Sequence, residues 1–206
     1  MHIADGVLST PVVVSGIAVT GALAAYAASK TKTEELPKIS LLTGVFFVVS
    51  LASLPLPGPT CVHPMLAAFL GILLGTKAVI AILVGLGLQT LLLQYGGITT
   101  LGINTLMVAV PALFSAQLFH MMKSTVPSIF KRGAIAGVVA TVLVGIILAT
   151  VMYFSDERYG EGYLSLVNMV LLTHLVLALV VEAPVTGFAL RYLEKARPSL
   201  LKRASL

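Results

Sequence analysis

The sequence predicts an all-α integral membrane protein, a seven-transmembrane-helix bundle that forms a single transmembrane domain over residues 1–206. The first observation is composition, because 58% of the residues are hydrophobic and 10% are charged, whereas soluble domains average about 25% charged residues. The second is that the apolar runs are long and lack the ten-residue alternation of a membrane β-barrel. The third is that the basic residues fall between these runs. Since only helices and closed barrels satisfy their backbone groups in lipid, we predict membrane helices.

Seven apolar runs are the candidate helices. A helix rises about 1.5 Å per residue, so a crossing takes roughly 20 apolar residues. The third run is short enough to dip into the bilayer without crossing, and the last is long enough to extend beyond it. The predicted helices cover about 10–29, 39–56, 64–75, 77–95, 104–122, 133–154 and 163–193.

The distribution of lysine and arginine decides the predicted topology. If all seven runs cross, the basic residues share one face except for Arg158. If 64–75 only dipped into the bilayer, the first basic loop would face away from the others. The positive-inside rule therefore predicts seven crossings, with the N-terminus outside and the C-terminus in the cytoplasm. The opening residues carry Asp5 and no Lys or Arg, so we expect no cleavable signal peptide and take Met1 as the mature N-terminus.

Several functional classes find no support in the sequence. The single cysteine, Cys61, excludes an intrachain disulfide. The net charge of +5 does not predict nucleic-acid binding, because the basic residues lie between apolar runs. No Walker A motif, HExxH motif or nucleophile–base pair is present, so we expect neither an enzyme nor a catalytic cofactor. Any ATP-driven transport would need ATP hydrolysis by another subunit.

The opening stretch MHIADG predicts a metal chelate. The amine of Met1, the amide nitrogen of His2 and its Nδ1 can close a five-membered and a six-membered ring around one ion. Three nitrogens in a plane suit Ni(II) or Cu(II), and the amide must lose its proton to bind. His63 lies on the same predicted face in the Pro- and Gly-rich stretch PLPGPTCVHPM and is the candidate fourth ligand. Nearby Cys61 is a possible soft ligand, although a small buried residue is the simpler interpretation.

Four stretches, MHIADG, PTCVHPM, QTLLLQYGGITTLGIN and VVEAPVTGF, resemble motifs of the CbiM/NikM family in matching order. These proteins are the substrate-binding membrane (S) components of energy-coupling-factor (ECF) transporters for cobalt and nickel. The resemblance implies an extracellular N-terminus inserted into the protein core and a metal held by Met1, His2 and His63. It implies as partners a transmembrane coupling (T) subunit and two cytoplasmic ATP-binding subunits, and it leaves open a small accessory membrane subunit.

Two further motifs carry predicted roles from the resemblance. The stretch GGITTLGIN corresponds to the glycine-rich outer loop of the family, whose glycines let the backbone pass close to the inserted N-terminus. In it, Asn104 is expected to hydrogen-bond the terminal segment and so to orient the ligands. Glu182 is a carboxylate within a membrane helix, expected to serve coupling or packing and not to bind metal. The predicted loop residues are Gly96, Gly97, Thr99, Thr100, Gly102 and Asn104.

The sequence thus predicts a metal-capturing subunit in the plasma membrane of a prokaryote. The expected substrate is Ni²⁺, because planar nitrogen ligation suits it, with Co²⁺ as the alternative. A stand-alone secondary transporter or channel is the main rival, and only Glu182 with His174 could supply its membrane-embedded charges. A purely structural membrane subunit would bind no metal.

Overall fold

The computed structural model describes residues 3–52, 54–55, 61–155 and 163–201. Helices dominate this part of the chain, with one pair of two-residue strands, β1 (Leu54–Pro55) and β2 (Cys61–Val62), running antiparallel. Short 3₁₀ segments lie at Thr33–Glu35, Gly75–Lys77 and Pro198–Leu201. The α-helices are α1 (Thr10–Ser29), α2 (Leu36–Val49), α3 (Ala67–Leu74), α4 (Ala78–Leu93), α5 (Leu101–Met121), α6 (Ile129–Ser155), α7 (Tyr163–Leu177) and α8 (Ala183–Ala196).

Five helical segments in the described part of the chain are long and apolar enough to cross a membrane. This confirms a multi-pass, all-helical membrane protein, whereas the count of seven crossings and the side of each terminus stay predictions. α2 and α3 are too short by themselves, with 14 and 8 residues. Two of the five segments each include two helices, α3 with α4 and α7 with α8. The five segments are Thr10–Ser29, Ala67–Leu93, Leu101–Met121, Ile129–Phe154 and Val167–Ala196.

The second helix differs from its predicted position. It was expected at 39–56 but occupies Leu36–Val49. Prolines stand at positions 55, 57 and 59, where each removes a backbone donor and disfavours helix at the residue before it. The chain therefore leaves the helix early, and β1 pairs with β2 across the proline-rich stretch.

The chain reverses between α3 and α4. Lys77 at the start of α4 is buried and forms an ion pair with the partly exposed Glu35, 2.6 Å apart. Lys38 donates a 2.6 Å hydrogen bond to the carbonyl of Leu73. At the other end, the amide of Gln89 donates to the hydroxyl of Ser50. α2 and α4 therefore run in the same direction and α3 runs opposite to both. Gly75 makes this turn with a positive φ of 59°, which favours glycine.

The last predicted helix, 163–193, consists of three pieces. α7 ends at Leu177, the segment Ala178–Glu182 is π-helical, and α8 continues to Ala196. Pro184 lies in the first turn of α8 and has no N–H for the carbonyl one turn earlier. A local π adjustment is a common way to accommodate such a proline within a membrane helix.

The N-terminal helix is fitted closely to the start of α5. A Cβ added to Gly102 would lie 2.6 Å from the backbone nitrogen of Ile17 and 2.7 Å from the carbonyl carbon of Gly16. Thr20 also donates a 2.7 Å hydrogen bond to the carbonyl of Gly102. Small residues at such contacts allow membrane helices to approach closely. This contact places the chain preceding α1 beside the loop that precedes α5.

Candidate metal centre

The backbone that follows the predicted chelate is buried and held by α5. Ile3 is 4% exposed, and its N–H donates to Oδ1 of Asn104 at 3.0 Å. Asn104 in turn donates through Nδ2 to the carbonyl of Ile3, also at 3.0 Å, and the Thr100 hydroxyl donates to the same carbonyl at 2.6 Å. The hydrogen bonds predicted for Asn104 are present. Met1 and His2, the first two predicted ligands, lie outside the described residues.

Asp5 anchors the same segment to the glycine-rich loop. Its Oδ1 accepts hydrogen bonds from the backbone N–H of Thr99 at 2.9 Å and from the Thr99 hydroxyl at 2.5 Å, while Oδ2 accepts from the N–H of Ile98 at 3.1 Å. The hydrogen bond from the Thr99 side chain is the main reason that the pKa of Asp5 lies below its usual 3.8. Sequence reasoning missed this anchor, although the Asp-Gly pair in MHIADG is a recognisable turn signal.

The glycine-rich loop makes room for Asp5 at one position. A Cβ on Gly97 would overlap the Asp5 carboxylate, so any side chain there would displace the N-terminal segment. Gly96 adopts a φ of +81°, a conformation that favours glycine. The glycines were predicted to let the loop backbone pass close to the N-terminal segment, and at Gly97 the two segments are in contact.

His63 is buried beside the end of this loop. Its ring is 3% exposed and lies 5.8 Å, centroid to centroid, from that of Tyr95, which directly precedes Gly96. Burial lowers the pKa of His63 to about 4, against the opposing effect of a hydrogen bond with the Ser50 backbone. The imidazole is therefore neutral at physiological pH, which is the form that binds metals.

Glu182 contacts the backbone that directly follows His63 and Pro64. Its Oε1 accepts hydrogen bonds from the N–H groups of Met65, at 2.5 Å, and Leu66, at 2.9 Å. Glu182 itself is 1% exposed. Sequence analysis left the role of this residue between coupling and packing, and the structure joins it to the backbone two and three residues after His63.

The loop from Tyr95 to Asn104 is the common support of the candidate site. Tyr95 contacts the ring of His63, Ile98 and Thr99 donate hydrogen bonds to Asp5, and Thr100 and Asn104 hold Ile3. Within the described ranges, no three His, Cys, Asp or Glu residues are close enough to hold a metal. A metal site here would depend on the N-terminal nitrogens together with His63.

The other polar candidates lie apart from this arrangement. His174 is buried in α7, where its Nδ1 is 2.7 Å from the carbonyl of Val170 on the preceding turn. The side chain of Cys61 lies outside the part that the structure describes. His174 and Glu182, the pair required by the secondary-transporter alternative, have no hydrogen bond to each other among the contacts of the described residues.

Comparisons with known proteins agree with this architecture. Residues 2–200 match the CbiM family, described as the cobalt uptake substrate-specific transmembrane region. The cobalt transport protein CbiM of Sorangium cellulosum is 27% identical over 98% of this chain and 95% of its own length. The fused nickel transport protein NikMN of Rhodobacter capsulatus is 29% identical over 98% of this chain and 64% of its own length. The crystal structure of a transition metal transporter superposes with a TM-score of 0.84 at 26% identity, covering 95% of this chain and 93% of that one. The chain therefore belongs to the CbiM family of substrate-specific membrane components for cobalt and nickel transport.

Proposed function

We propose that this protein captures Ni²⁺ at the outer face of a prokaryotic plasma membrane and is the S component of an ECF transporter. The ligands are the amine of Met1, the amide nitrogen and imidazole of His2, and the imidazole of His63. Four nitrogens in one plane favour Ni(II), with Co(II) as the second substrate. The protein performs no catalysis and uses no catalytic cofactor.

One observation carries this proposal. A polar clamp on Ile3, made by Asn104 and Thr100, holds the backbone immediately after His2 in a buried position. An N-terminus that were merely a disordered chain end would not need two buried side chains to bind its backbone. A neutral, buried histidine from the stretch before α3 lies beside Tyr95, at the other end of the loop that holds Ile3, and provides the fourth nitrogen. The clamp acts as an outer-shell support, which orients metal ligands.

The proposed partners supply the energy for uptake. They are a T subunit and two cytoplasmic ATP-binding subunits, with a small accessory membrane subunit left open. This chain has no Walker A motif, so ATP hydrolysis belongs to other subunits. The whole chain, 1–206, acts as one transmembrane domain with its N-terminus outside and its C-terminus in the cytoplasm.

The metal site can be tested on the purified protein in detergent. We expect one Ni(II) per chain, with the visible d–d band of planar nitrogen-ligated nickel. Two additional alanines before Met1 should abolish this band, because they replace the terminal amine by an amide. Two are used because a single residue would create an N-terminal X-X-His sequence, which binds Ni(II) through four planar nitrogens by itself. The matched control carries the same two alanines after Leu206 and should bind nickel normally. No stoichiometric metal in the unmodified protein would overturn the capture function.

A second experiment tests the energy source. Uptake of radioactive nickel is measured in cells that express this chain with or without the T subunit and the ATP-binding subunits. We expect uptake only with the complete set. Undiminished uptake by the chain alone would favour the stand-alone secondary transporter.

A further inference from the structure

The side chain of Glu182 binds the backbone at the residues that lead into α3. Its Oε1 receives both the Met65 and the Leu66 N–H groups, at 2.5 and 2.9 Å, at the entry to α3. Leu66 is the N-cap of α3, so its N–H is one of the donors that have no partner within the helix, and the Met65 N–H directly precedes it. A single carboxyl oxygen of Glu182 thus accepts from two consecutive backbone N–H groups that would otherwise be buried without a partner.

The backbone that Glu182 holds is also strained. Leu66 has a φ of +46°, a left-handed conformation that is uncommon for residues other than glycine. Such a conformation persists only where its surroundings enforce it. The two hydrogen bonds that Met65 and Leu66 donate to Glu182 supply this enforcement, so without them the turn would be free to relax.

Relaxation of this turn would move His63. Pro64 lies between His63 and Met65, and its ring restricts the backbone to a narrow range of φ. If the Met65 amide moves, the restricted backbone of Pro64 cannot compensate by rotation about φ, so His63 moves as well. His63 is buried against Tyr95, so even a small displacement changes where its ring nitrogens lie.

The position of Glu182 is itself secured by the fold. It ends the π-helical segment Ala178–Glu182, and π segments inside α-helices are frequent at functional sites. On the other side, α6 packs against it, because a Cβ on Gly137 would lie 2.8 Å from the Glu182 carbonyl oxygen. A side chain held on a long, packed helical segment is a precise support for a loop.

We infer that Glu182 is a positioning residue for metal capture, whose carboxylate fixes the backbone after His63 and thereby aims the His63 ring at the metal. This inference rests on the proposed function, since it requires His63 to be a ligand. On this inference, Glu182 does more than pack between helices, because it sets the position of one metal ligand, His63. Glu182 does not itself contact the metal.

A double-mutant cycle on nickel affinity tests the inference. Glu182→Ala should weaken Ni(II) binding about 10- to 100-fold, the usual effect of losing an outer-shell partner. In a His63→Ala background the same substitution should weaken binding less than about 2-fold, because the ligand that it positions is already absent. Equal losses in both backgrounds, or no loss in a folded Glu182→Ala protein, would overturn the inference.

Two conservative variants keep the test decisive if Glu182→Ala fails to fold. Glu182→Gln retains an oxygen at the same reach and should bind nickel within about 10-fold of the unmodified protein. Glu182→Asp retains the carboxyl group but withdraws it by one methylene, and it should lose as much affinity as Glu182→Ala. Equal effects of Gln and Asp would contradict a positioning role. Thr141→Val, which removes a buried local hydrogen bond to the Gly137 carbonyl in α6, is the control and should leave affinity unchanged.

Amide hydrogen exchange without metal separates this inference from the proposed function. Glu182→Ala should accelerate exchange in peptides covering residues 61–70 and leave those covering 101–121 unchanged. Unchanged exchange at 61–70 would overturn the anchoring step. Absence of nickel binding by the unmodified protein would instead overturn the proposed function, whatever the exchange result. Normal binding by both the unmodified protein and Glu182→Ala would overturn this inference alone.

Discussion

Asn104 and Ile3 are joined by two reciprocal 3.0 Å hydrogen bonds, one in each direction between the side-chain amide and the backbone. The side-chain oxygen accepts from the Ile3 N–H, and the side-chain nitrogen donates to the Ile3 carbonyl. Only an amide side chain offers a donor and an acceptor in this geometry. The pair fixes the direction of the chain immediately after the proposed ligands.

Replacement of Asn104 by Asp tests this pair. The aspartate can still accept from the Ile3 N–H, but its second oxygen faces the Ile3 carbonyl without a proton to share. We expect Ni(II) affinity to fall about 10- to 100-fold, measured by competition with a chelator. Ser115→Ala on the same helix removes a buried local hydrogen bond to the carbonyl of Ala112 and should leave the affinity unchanged. Equal affinity of Asn104→Asp and the unmodified protein would show that the clamp is not needed for capture.

Gly97→Ala tests the passage of the N-terminal segment over the loop. The added Cβ overlaps the Asp5 carboxylate, so Asp5 and the chain before it must move. We expect a lower melting temperature, corresponding to about 1–3 kcal/mol, together with weaker Ni(II) binding. Gly21→Ala in α1 is the matched control, because no atom lies within 4 Å of its added Cβ. A loss in the control as large as that of Gly97→Ala would argue against the predicted contact.

The titration of His63 gives a pH prediction for the metal-free protein. Its pKa falls from 6.5 to about 4 in the folded state because burial disfavours the charged ring, so a proton on the folded ring costs about 3 kcal/mol more than one on the unfolded chain. Below pH 6.5 the unfolded chain takes up this proton first, so the free energy of unfolding should decline from about pH 6.5 to about pH 4. NMR of labelled histidine should show the ring neutral at pH 5.5. A His63 ring that is already protonated at that pH would contradict its burial.

Asp5→Asn tests the acid dependence of the second anchor. The pKa of Asp5 is lowered by hydrogen bonding to Thr99, so its contribution to stability is present above the unfolded pKa near 3.8 and is lost as the pH falls through the lower folded value. The unmodified protein should therefore be more stable than Asp5→Asn at neutral pH. Unfolding measured from pH 7 down to pH 3 should show this difference shrinking below about pH 3.8. A constant difference across that range would mean that the Asp5 charge does not strengthen the contact.

Helix positions were predictable where apolar length alone decides them. α1 lies at the predicted residues 10–29, and the predicted spans at 77–95, 104–122 and 133–154 lie within a few residues of α4, α5 and α6. The prediction was less accurate at 39–56, since hydropathy continues through a proline-rich stretch where the backbone cannot remain helical. The π segment in the last run was not predicted either.

The site was predictable where a motif names the residue and unpredictable where a contact joins distant elements. Asn104 was expected to bind the terminal segment and does so. Asp5 was not assigned a partner, because the N–H groups that donate hydrogen bonds to it belong to a loop more than 90 residues later in the chain. The role of Glu182 was left open for the same reason, since its partners Met65 and Leu66 lie 117 and 116 residues away in the chain.

The sequence by itself determined that this is a helical membrane protein with a nitrogen-rich N-terminus and a histidine before a short apolar run. These properties depend on composition, apolar length and neighbouring residues, which are local. Only the tertiary structure decided that Asn104 binds the terminal segment at Ile3 through both of its amide atoms, that Gly97 makes room for Asp5 and that Glu182 holds the turn after His63. Each of these contacts requires helices from different parts of the chain to pack in one particular arrangement, which hydropathy and charge do not encode.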